Sequence, residues 1–208
     1  SLNMSKNEQK ICIRGDVADL TSQNMEEFPQ QIQQNKIFMC NNPIKDLKSF
    51  ALANLVYLNL QHCNLQNIKP LSFLKTQILD LSFNKINFLP VMNNQLNMLM
   101  IQHNQINLME FSSESNLFYL DLTGNQLNDL KPLLQLERIF KIIISQNQLG
   151  EDQIALLKQM SCEIVYEVVL QHCYVESGLI EECKTIIETY CQIVEEQCIY
   201  LKIENQDL

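Results

Sequence analysis

Residues that could bind a metal or catalyse a reaction are present in this chain, but their spacing keeps them apart. His62 and His103 occupy matching positions in two similar segments, and so do Asp80 and Asp121. One further segment of the same kind lies between the members of each pair, so two strand spacings, about 10 Å, would separate them. Two imidazoles at that distance cannot ligate one ion, and two carboxylates cannot share acid–base work. We therefore expect no catalytic residue and no metal site.

Composition argues against two further classes of protein. The four glycines (Gly15, Gly124, Gly150 and Gly178) are isolated, whereas phosphate-binding loops need several glycines close together. We expect no cofactor. The net charge is −9, and a nucleic-acid partner would require an excess of Lys and Arg instead.

The sequence also predicts neither a membrane span nor a secretory signal. No uninterrupted apolar run approaches 18 residues, so we expect no membrane span and no membrane partner. The opening SLNMSKNEQK has no apolar segment of the kind that a secretory signal needs. Residues 1–3 are interpreted as the remnant of a tag, with Met4 as the natural start.

The eight cysteines contain no CxxC pair. An even number is compatible with disulfides in a secreted protein, but the cysteines lie in apolar runs of a chain long enough to fold without cross-links. Buried free thiols in a reducing compartment are the favoured interpretation, and they predict a cytoplasmic protein.

A repeated segment accounts for most of the chain. The template L-x-x-L-x-L-x-x-N/C-x-L recurs about every 21 residues, with weaker copies near the N-terminus whose anchor positions are Gln23 and Asn42. The five clear copies are LVYLNLQHCNL (55–65), LDLSFNKI (79–86), LNMLMIQHNQI (96–106), LFYLDLTGNQL (117–127) and IFKIIISQNQL (139–149), with anchors at Cys63, Asn84, Asn104, Asn125 and Asn147.

This template resembles that of the leucine-rich repeat family, over roughly residues 12–160. The short period is similar to that of a cytosolic subclass with phosphatase-regulator, dynein-light-chain and spliceosomal members. The resemblance implies an α/β fold, a solenoid of about seven repeats with a curved parallel sheet. It also implies a role as adaptor, scaffold or regulatory subunit. The departures are Gln23 at an anchor, and Gln34 and Thr76 in place of the first leucine.

The residues support this architecture independently. Each L-x-L triplet is typical of a short strand with one buried face, and the anchor amide can bond backbone groups at the turn that follows. A thiol at Cys63 can replace the amide because it is a weak donor that tolerates burial. The predicted core pairs are Leu58/Leu60, Leu79/Leu81, Leu99/Ile101, Leu120/Leu122 and Ile142/Ile144.

The residues between these leucines should point out of the concave face in columns. Many of them are apolar or aromatic, which is unusual for a face that meets water and typical of an interface. We predict that a protein partner contacts Phe38, Tyr57, Asn59, His62, Ile78, Asp80, Phe83, Met98, Met100, His103, Tyr119, Asp121 and Ile143.

Other interpretations of this patch stay open. The acidic tail or a second copy of the chain could cover it, or the assumed register could be wrong. If the patch is exposed, a glutamate at Met100 should leave the fold intact, whereas one at Leu120 should unfold it by burying a charge.

The last 48 residues differ from the rest. Residues 1–160 carry 13 basic and 14 acidic side chains, a balance of −1, while residues 161–208 carry 2 and 10, a balance of −8. From Ile154 onward the repeat pattern is lost, and residues 161–177 could form a helix or a strand that caps the solenoid. The three predicted regions are residues 1–11, an N-terminal segment that is partly tag or disordered; 12–160, the solenoid; and 161–208, an acidic C-terminal cap and amphipathic helix.

Residues 179–204 are predicted to form an amphipathic helix. Its apolar line repeats at steps of three and four residues, with glutamates opposite. It could cap the solenoid, or pair with another helix in a coiled coil, a homodimer or a partner. The apolar line is Ile180, Cys183, Ile187, Tyr190, Val194, Cys198 and Leu201.

The favoured function is a non-catalytic intracellular protein-interaction module that binds its partner on the concave face. The alternative is a secreted bacterial effector that uses the repeat to engage a host protein. Its support is the glutamate-rich C-terminus, which a solvated helix face explains equally well.

Overall fold

The computed structural model describes residues 11–50, 53–166 and 169–171 of the 208-residue chain. Short strands dominate these residues. In chain order the elements are β1 (Cys12–Arg14), β2 (Val17–Asp19), β3 (Lys36–Phe38), β4 (Asn54–Asn59), β5 (Lys75–Asp80), β6 (Phe88–Leu89), β7 (Met98–Met100), β8 (Leu108–Met109), β9 (Tyr119–Asp121), β10 (Lys141–Ile143), α1 (Glu151–Leu157), β11 (Glu163–Tyr166) and β12 (Val169–Gln171). Three 3-10 helices, Leu47–Phe50, Lys69–Phe73 and Lys131–Gln135, lie in the connections.

One large sheet contains most of the strands. Within the described residues it has ten strands in the order β1-β2-β3-β4-β5-β7-β9-β10-β11-β12. All neighbours from β2 to β11 are parallel, whereas β1 pairs antiparallel with β2 and β12 antiparallel with β11. A reversed strand therefore ends the array on each side, where a repeat has only one neighbour. Residues 161–177 are predicted to form either a helix or a strand. Their described part forms strands, β11 and β12.

The predicted core pairs form two complete columns on one face of this sheet. All ten side chains have no measurable exposure, from Leu58 and Leu60 in the β4 repeat to Ile142 and Ile144 in the β10 repeat. Because side chains alternate along a strand, this burial fixes which residues face the other way. The prediction of a parallel sheet built from L-x-L triplets is confirmed.

A second layer covers the core columns. It consists of the 3-10 helices, α1 and a two-stranded parallel sheet of β6 and β8. Ile68, Leu71 and Leu133 of this layer lie in the main core cluster. Leu108 and Leu134 are exposed on it.

The anchor asparagines form a buried ladder beside the sheet. Asn84 illustrates the pattern: its Nδ2 donates to the carbonyl oxygens of Leu60 and Leu81, each at 2.9 Å. Its Oδ1 accepts the backbone N–H groups of Cys63 and Leu65, at 3.0 and 2.9 Å. One amide thus pairs backbone groups of its own turn and of the preceding repeat, groups that would otherwise be buried without partners. Equivalent sets surround Asn42, Asn104, Asn125 and Asn147.

Cys63 replaces only half of this function. Its thiol donates to the carbonyl of Met39 at 3.3 Å, as an asparagine would, but it supplies no amide oxygen. The N–H that such an oxygen would accept belongs to Ile44, and it bonds instead to the carbonyl of Asn42 at 2.9 Å. The local backbone has therefore found a substitute acceptor, which explains why the departure from asparagine leaves the stacking intact.

The ladder predicts that loss of a buried anchor asparagine lowers stability much more than loss of an exposed asparagine. Asn84→Ala should lower the free energy of unfolding by about 3 kcal/mol or more, because each buried backbone group left without a partner costs about 1–3 kcal/mol. The control is Asn128→Ala at an exposed position, which should change stability by less than about 0.5 kcal/mol. Urea unfolding of both variants checks this, and equal losses would contradict the role given to the amide.

Candidate functional site

The strand register aligns the predicted contact residues in the expected columns. Tyr57 pairs with Ile78, Ile78 with Met98, and Met98 with Tyr119. The neighbouring column contains Phe38, Asn59, Asp80, Met100, Asp121 and Ile143 in consecutive pairings. The possibility that the register was wrong is therefore excluded for these strands. We call the face that carries these columns the concave face, after its predicted shape.

Most apolar side chains on this face are buried, contrary to expectation. Phe38 and Tyr57 are each 1% exposed, Ile78 is fully buried, and Met98 and Met100 are 2% and 4% exposed. The prediction that these five residues are solvent-exposed is wrong for the single chain. The premise for placing a glutamate at Met100 without harm therefore fails. Whether the five contact a partner stays a prediction.

The buried residues form a hydrophobic cluster separate from the main core. Phe38 and Tyr57 touch with ring centroids 5.0 Å apart, and the Tyr57 hydroxyl accepts a hydrogen bond from Asn59 Nδ2 at 3.2 Å. Phe118, directly before β9, was missed because it precedes the strand rather than alternating along it. A second phenylalanine at the matching place in the next repeat, Phe140, was the available signal. The concave cluster is Phe38, Tyr57, Ile78, Met98, Met100 and Phe118.

Three predicted contact residues on the concave face have a local structural task. Asn59 Oδ1 accepts the N–H of Gln61 at 2.9 Å, and the side chains of Asp80 and Asp121 accept the N–H two residues on, each at 3.0 Å. Such bonds shape the turn that follows each strand. These polar side chains are therefore used within the fold, and Met100 separates the two carboxylates as the sequence indicated.

Asp80 is a buried carboxylate on this face. It is 2% exposed, and burial raises its pKa above the ordinary value, although Ser82 and Gln61 oppose the shift by donating hydrogen bonds. The Ser82 hydroxyl donates to Oδ1 at 2.6 Å, and Gln61 Nε2 donates to Oδ2. The ionised form is therefore held by hydrogen bonds in a place that disfavours charge.

Three other predicted residues are exposed and form a stack of rings. The His62 and Phe83 ring centroids are 4.7 Å apart with an interplanar angle of 9°, and Phe83 and His103 are 4.7 Å apart at 21°. Phe83 is 43% exposed. The two imidazoles thus lie a strand spacing on either side of Phe83, as the column predicted. We call His62, Phe83 and His103 the ring row.

The backbone under the ring row has an unusual conformation. The residue before the anchor has a positive φ in every repeat, including 54° at His62, 57° at Phe83 and 54° at His103. A bulky residue such as Phe rarely adopts this region, which costs about 1–2 kcal/mol. Hydrogen bonds from Phe83 N to Gln102 O and from His103 N to Thr123 O, at 2.9 and 2.8 Å, hold the backbone in place.

The row ends at Gly124, where the backbone has a φ of +66°. A Cβ there would lie 2.6 Å from His103 Nδ1. The absence of a side chain therefore gives the His103 ring the room it needs to stack on Phe83.

Two thiols near this face are held in their protonated form. Burial raises the pKa of Cys63 to about 11, and burial also raises the pKa of Cys40. Neither is a reactive nucleophile in that state. Cys12, Cys40 and Cys63 carry free thiols; the predicted burial holds for Cys63, whereas Cys12 and Cys40 are only partly buried. Cys173, Cys183, Cys191 and Cys198 lie outside the described residues, as does the predicted helix at 179–204.

No metal centre or membrane segment emerges from the described ranges. They contain no group of three or more His, Cys, Asp or Glu side chains placed to hold an ion. None of their helices is both long and apolar enough to cross a bilayer.

Comparisons with known proteins identify the fold. No family model and no curated protein matches the chain. Among solved structures, the chain is similar to the crystal structure of the leucine-rich repeat domain of APL1B, with a TM-score of 0.57 and 22% sequence identity. The match covers 68% of this chain and 44% of that one, so it spans less than half of the other protein's length. The short-period subclass stays a prediction.

The burial of Asp80 predicts how its removal changes the dependence of stability on pH. Because the folded-state pKa is raised, folding binds a proton between the unfolded-state value, about 4, and the higher folded-state value. Stability from this group is thus lost as pH rises through that window. Asp80→Asn should gain stability relative to wild type over the same window and keep that gain at pH 7.

Chemical unfolding of both proteins from pH 3 to 8 measures this difference. The amide oxygen of an asparagine at position 80 can still accept the hydrogen bond from the Ser82 hydroxyl. If the Gln61 amide rotates, its oxygen can accept a hydrogen bond from the Nδ2 of that asparagine. Asp129→Asn, at an exposed site, controls for the change in net charge. A gain that is the same at every pH would contradict the assignment to Asp80.

The ring row predicts the effect of a side chain at Gly124. Gly124→Ala should cost more than the strain of a positive φ, which is about 1–2 kcal/mol, because the His103 ring must also leave its place. Gly15→Ala is the matched control, since Gly15 has a φ of +57° and no atom within 4 Å of its added Cβ. Chemical unfolding compares stabilities, and NMR should show a shift of the His103 ring protons only in Gly124→Ala.

Proposed function

We propose that this chain, whose fold is a leucine-rich repeat solenoid, is a non-catalytic protein-interaction module that binds a protein partner on its concave face. The observation that carries the proposal is the exposed ring row, which presents aromatic surface at the rim of that face. The solved neighbour is similar in fold, and the ring row belongs to this chain's own residues.

Phe83 has the properties of an interface anchor. It is a large side chain, 43% exposed, and both of its ring faces are packed by His62 and His103. Binding through it would cost little conformational entropy, because the row is already ordered in the free chain. Aromatic residues held in this way are typical of the few positions that dominate binding energy.

The ring row lies in the middle of a longer column. The positions before the anchors run from Asn41 to Gln146, six repeats, which at about 4.8 Å per strand span about 24 Å, and the three rings occupy about 10 Å of that length. The rings are therefore placed where they could form the centre of a larger protein contact. A small-molecule site would instead require a deep pocket, and the rings stack in a line along the rim.

The chemistry of the concave face favours binding over catalysis. Asn59, Asp80 and Asp121 serve the turns after their strands, and the protonated thiols of Cys40 and Cys63 offer no nucleophile. We infer a role as adaptor, scaffold or regulatory subunit. Free cysteines support a reducing compartment, and we place the protein in the cytoplasm.

The proposal predicts that a charge at Phe83 abolishes binding while a charge at another exposed phenylalanine does not. Phe83→Asp removes the central ring, and aspartate tolerates the positive φ better than phenylalanine, so the fold should persist. The matched control is Phe73→Asp, because Phe73 is 74% exposed in the 3-10 helix Lys69–Phe73 on the opposite layer.

Affinity capture from lysate of the source cells should return a protein with wild type and Phe73→Asp that is lost with Phe83→Asp. Titration of that purified protein should then show a Kd at least tenfold higher for Phe83→Asp. A partner lost with Phe73→Asp and kept with Phe83→Asp would place the working surface on the other layer.

A further inference from the structure

A cleft lies at the edge of the main sheet where the parallel strands begin. Its volume is about 350 Å³, and six of its seven described lining residues are asparagine or glutamine. The seventh is Leu55, and the described lining carries no charged side chain. We call this site the amide cleft, and its amide residues are Asn54, Gln77, Asn94, Gln95, Asn97 and Asn116.

The strand register brings these amides together. Asn54 begins β4, and Gln77 lies on β5, which pairs with β4. Asn97 directly precedes β7, and its N–H donates to the carbonyl of Gln77 at 2.8 Å. The ring row is at the other ends of the strands, because Phe83 comes after β5. The amide cleft is therefore a site separate from the ring row.

Hydrogen bonds fix one wall of the cleft. Asn116 Nδ2 donates to the carbonyl of Asn94 at 2.9 Å, and Asn116 Oδ1 accepts a hydrogen bond from Arg138 Nη1 at 2.7 Å. Asn97 Nδ2 donates to the carbonyl of Asn116 at 3.3 Å. These bonds join the segments that precede β7 and β9, so this wall is already ordered in the free chain, which lowers the entropic cost of binding.

The other side of the cleft keeps its hydrogen-bonding capacity. The side chains of Asn54, Gln77 and Gln95 are exposed, and within the part of the chain that the structure describes their amide groups have no hydrogen-bond partner. Each carboxamide has two N–H donors and an acceptor oxygen. The cleft therefore presents free donors and acceptors from neighbouring repeats around one space.

We propose that the amide cleft binds a neutral saccharide, as a mono- or disaccharide unit, through its hydroxyl groups. A sugar hydroxyl donates one hydrogen bond and accepts others, so it pairs with a carboxamide in either orientation. A volume of about 350 Å³ lies within the range of small-molecule sites. This site goes beyond the protein contact proposed above and does not depend on it.

The lining disfavours other polar ligands of this size. A phosphate, carboxylate or ammonium group is bound best by a side chain of opposite charge, and the described lining has none. An extended peptide needs apolar pockets for alternate side chains, and the described lining has one apolar residue, Leu55, which is 5% exposed. Hydroxyl groups on an uncharged ring match the lining without either requirement.

The same lining predicts how strong the binding is. The described lining has no aromatic ring on which a sugar could stack, so hydrogen bonds must supply the affinity. Each of them replaces hydrogen bonds to water and adds little net free energy. We therefore expect a Kd in the millimolar range that does not change with salt, since no ion pair forms.

Saturation-transfer NMR detects binding of this strength. The full chain is mixed in turn with glucose, galactose, mannose, N-acetylglucosamine, maltose and cellobiose, and with glucuronate as a charged comparison. Spectra of the isotope-labelled chain then report on the side-chain amides of Asn54, Gln77 and Gln95.

Two double variants show where a sugar binds. Asn54→Ala/Gln77→Ala removes two amides of the cleft at exposed positions, so the fold should persist. Gln105→Ala/Asn128→Ala is the matched control, because it removes one glutamine and one asparagine at exposed positions elsewhere on the solenoid.

We expect at least one neutral sugar to give saturation transfer with wild type and to shift the amide resonances of the cleft. Its Kd should rise at least tenfold in Asn54→Ala/Gln77→Ala and stay the same in Gln105→Ala/Asn128→Ala. Absence of transfer with all six neutral sugars would overturn the proposal, as would equal Kd values in the two double variants or tighter binding of glucuronate than of glucose. Transfer that is lost in Phe83→Asp and kept in Asn54→Ala/Gln77→Ala would also overturn it, because the sugar would then lie at the ring row.

Discussion

The buried asparagine ladder is the constraint on which the rest of the solenoid depends. Each repeat must turn away from its strand inside an apolar core, and the turn leaves backbone N–H and carbonyl groups without strand partners. A carboxamide has donors and an acceptor on one short side chain, so a single residue such as Asn84 can pair groups of two successive repeats. The chain supplies one such anchor in each repeat, about every 21 residues. Cys63 shows the limit of the requirement, because the thiol supplies the donor and the backbone of the preceding turn supplies the missing acceptor.

The same turn determines the surface next to the ladder. The residue before each anchor takes a positive φ, and its N–H bonds to the next strand, so its side chain leaves the sheet at its rim. Repetition brings these side chains a strand spacing apart, which is close to the stacking distance of aromatic rings. Three successive repeats carry His62, Phe83 and His103 at this position, so their rings stack in order. No further helix or strand is needed to hold them together. Gly124 ends the stack by leaving room beside His103.

The sheet is apolar on both faces, which is the usual condition of a parallel sheet. One face packs on the connections, and the other carries the concave cluster, where Asp80 is nearly as buried as its apolar neighbours. A carboxylate in that position raises the cost of the folded state at neutral pH, and its hydrogen bonds to Ser82 and Gln61 offset part of that cost.

The sequence by itself determined the fold and the core columns, because a period of about 21 residues with alternating leucines gives each repeat one strand with a buried face. It also identified the concave columns residue by residue, including Tyr57, Ile78 and Met98. The tertiary structure alone decided which of those residues meet solvent, since exposure depends on what lies over a face and a strand pattern describes only the face itself. It likewise decided that Phe118 joins the concave cluster and that His62, Phe83 and His103 stack, because both depend on distances between strands that are remote in sequence.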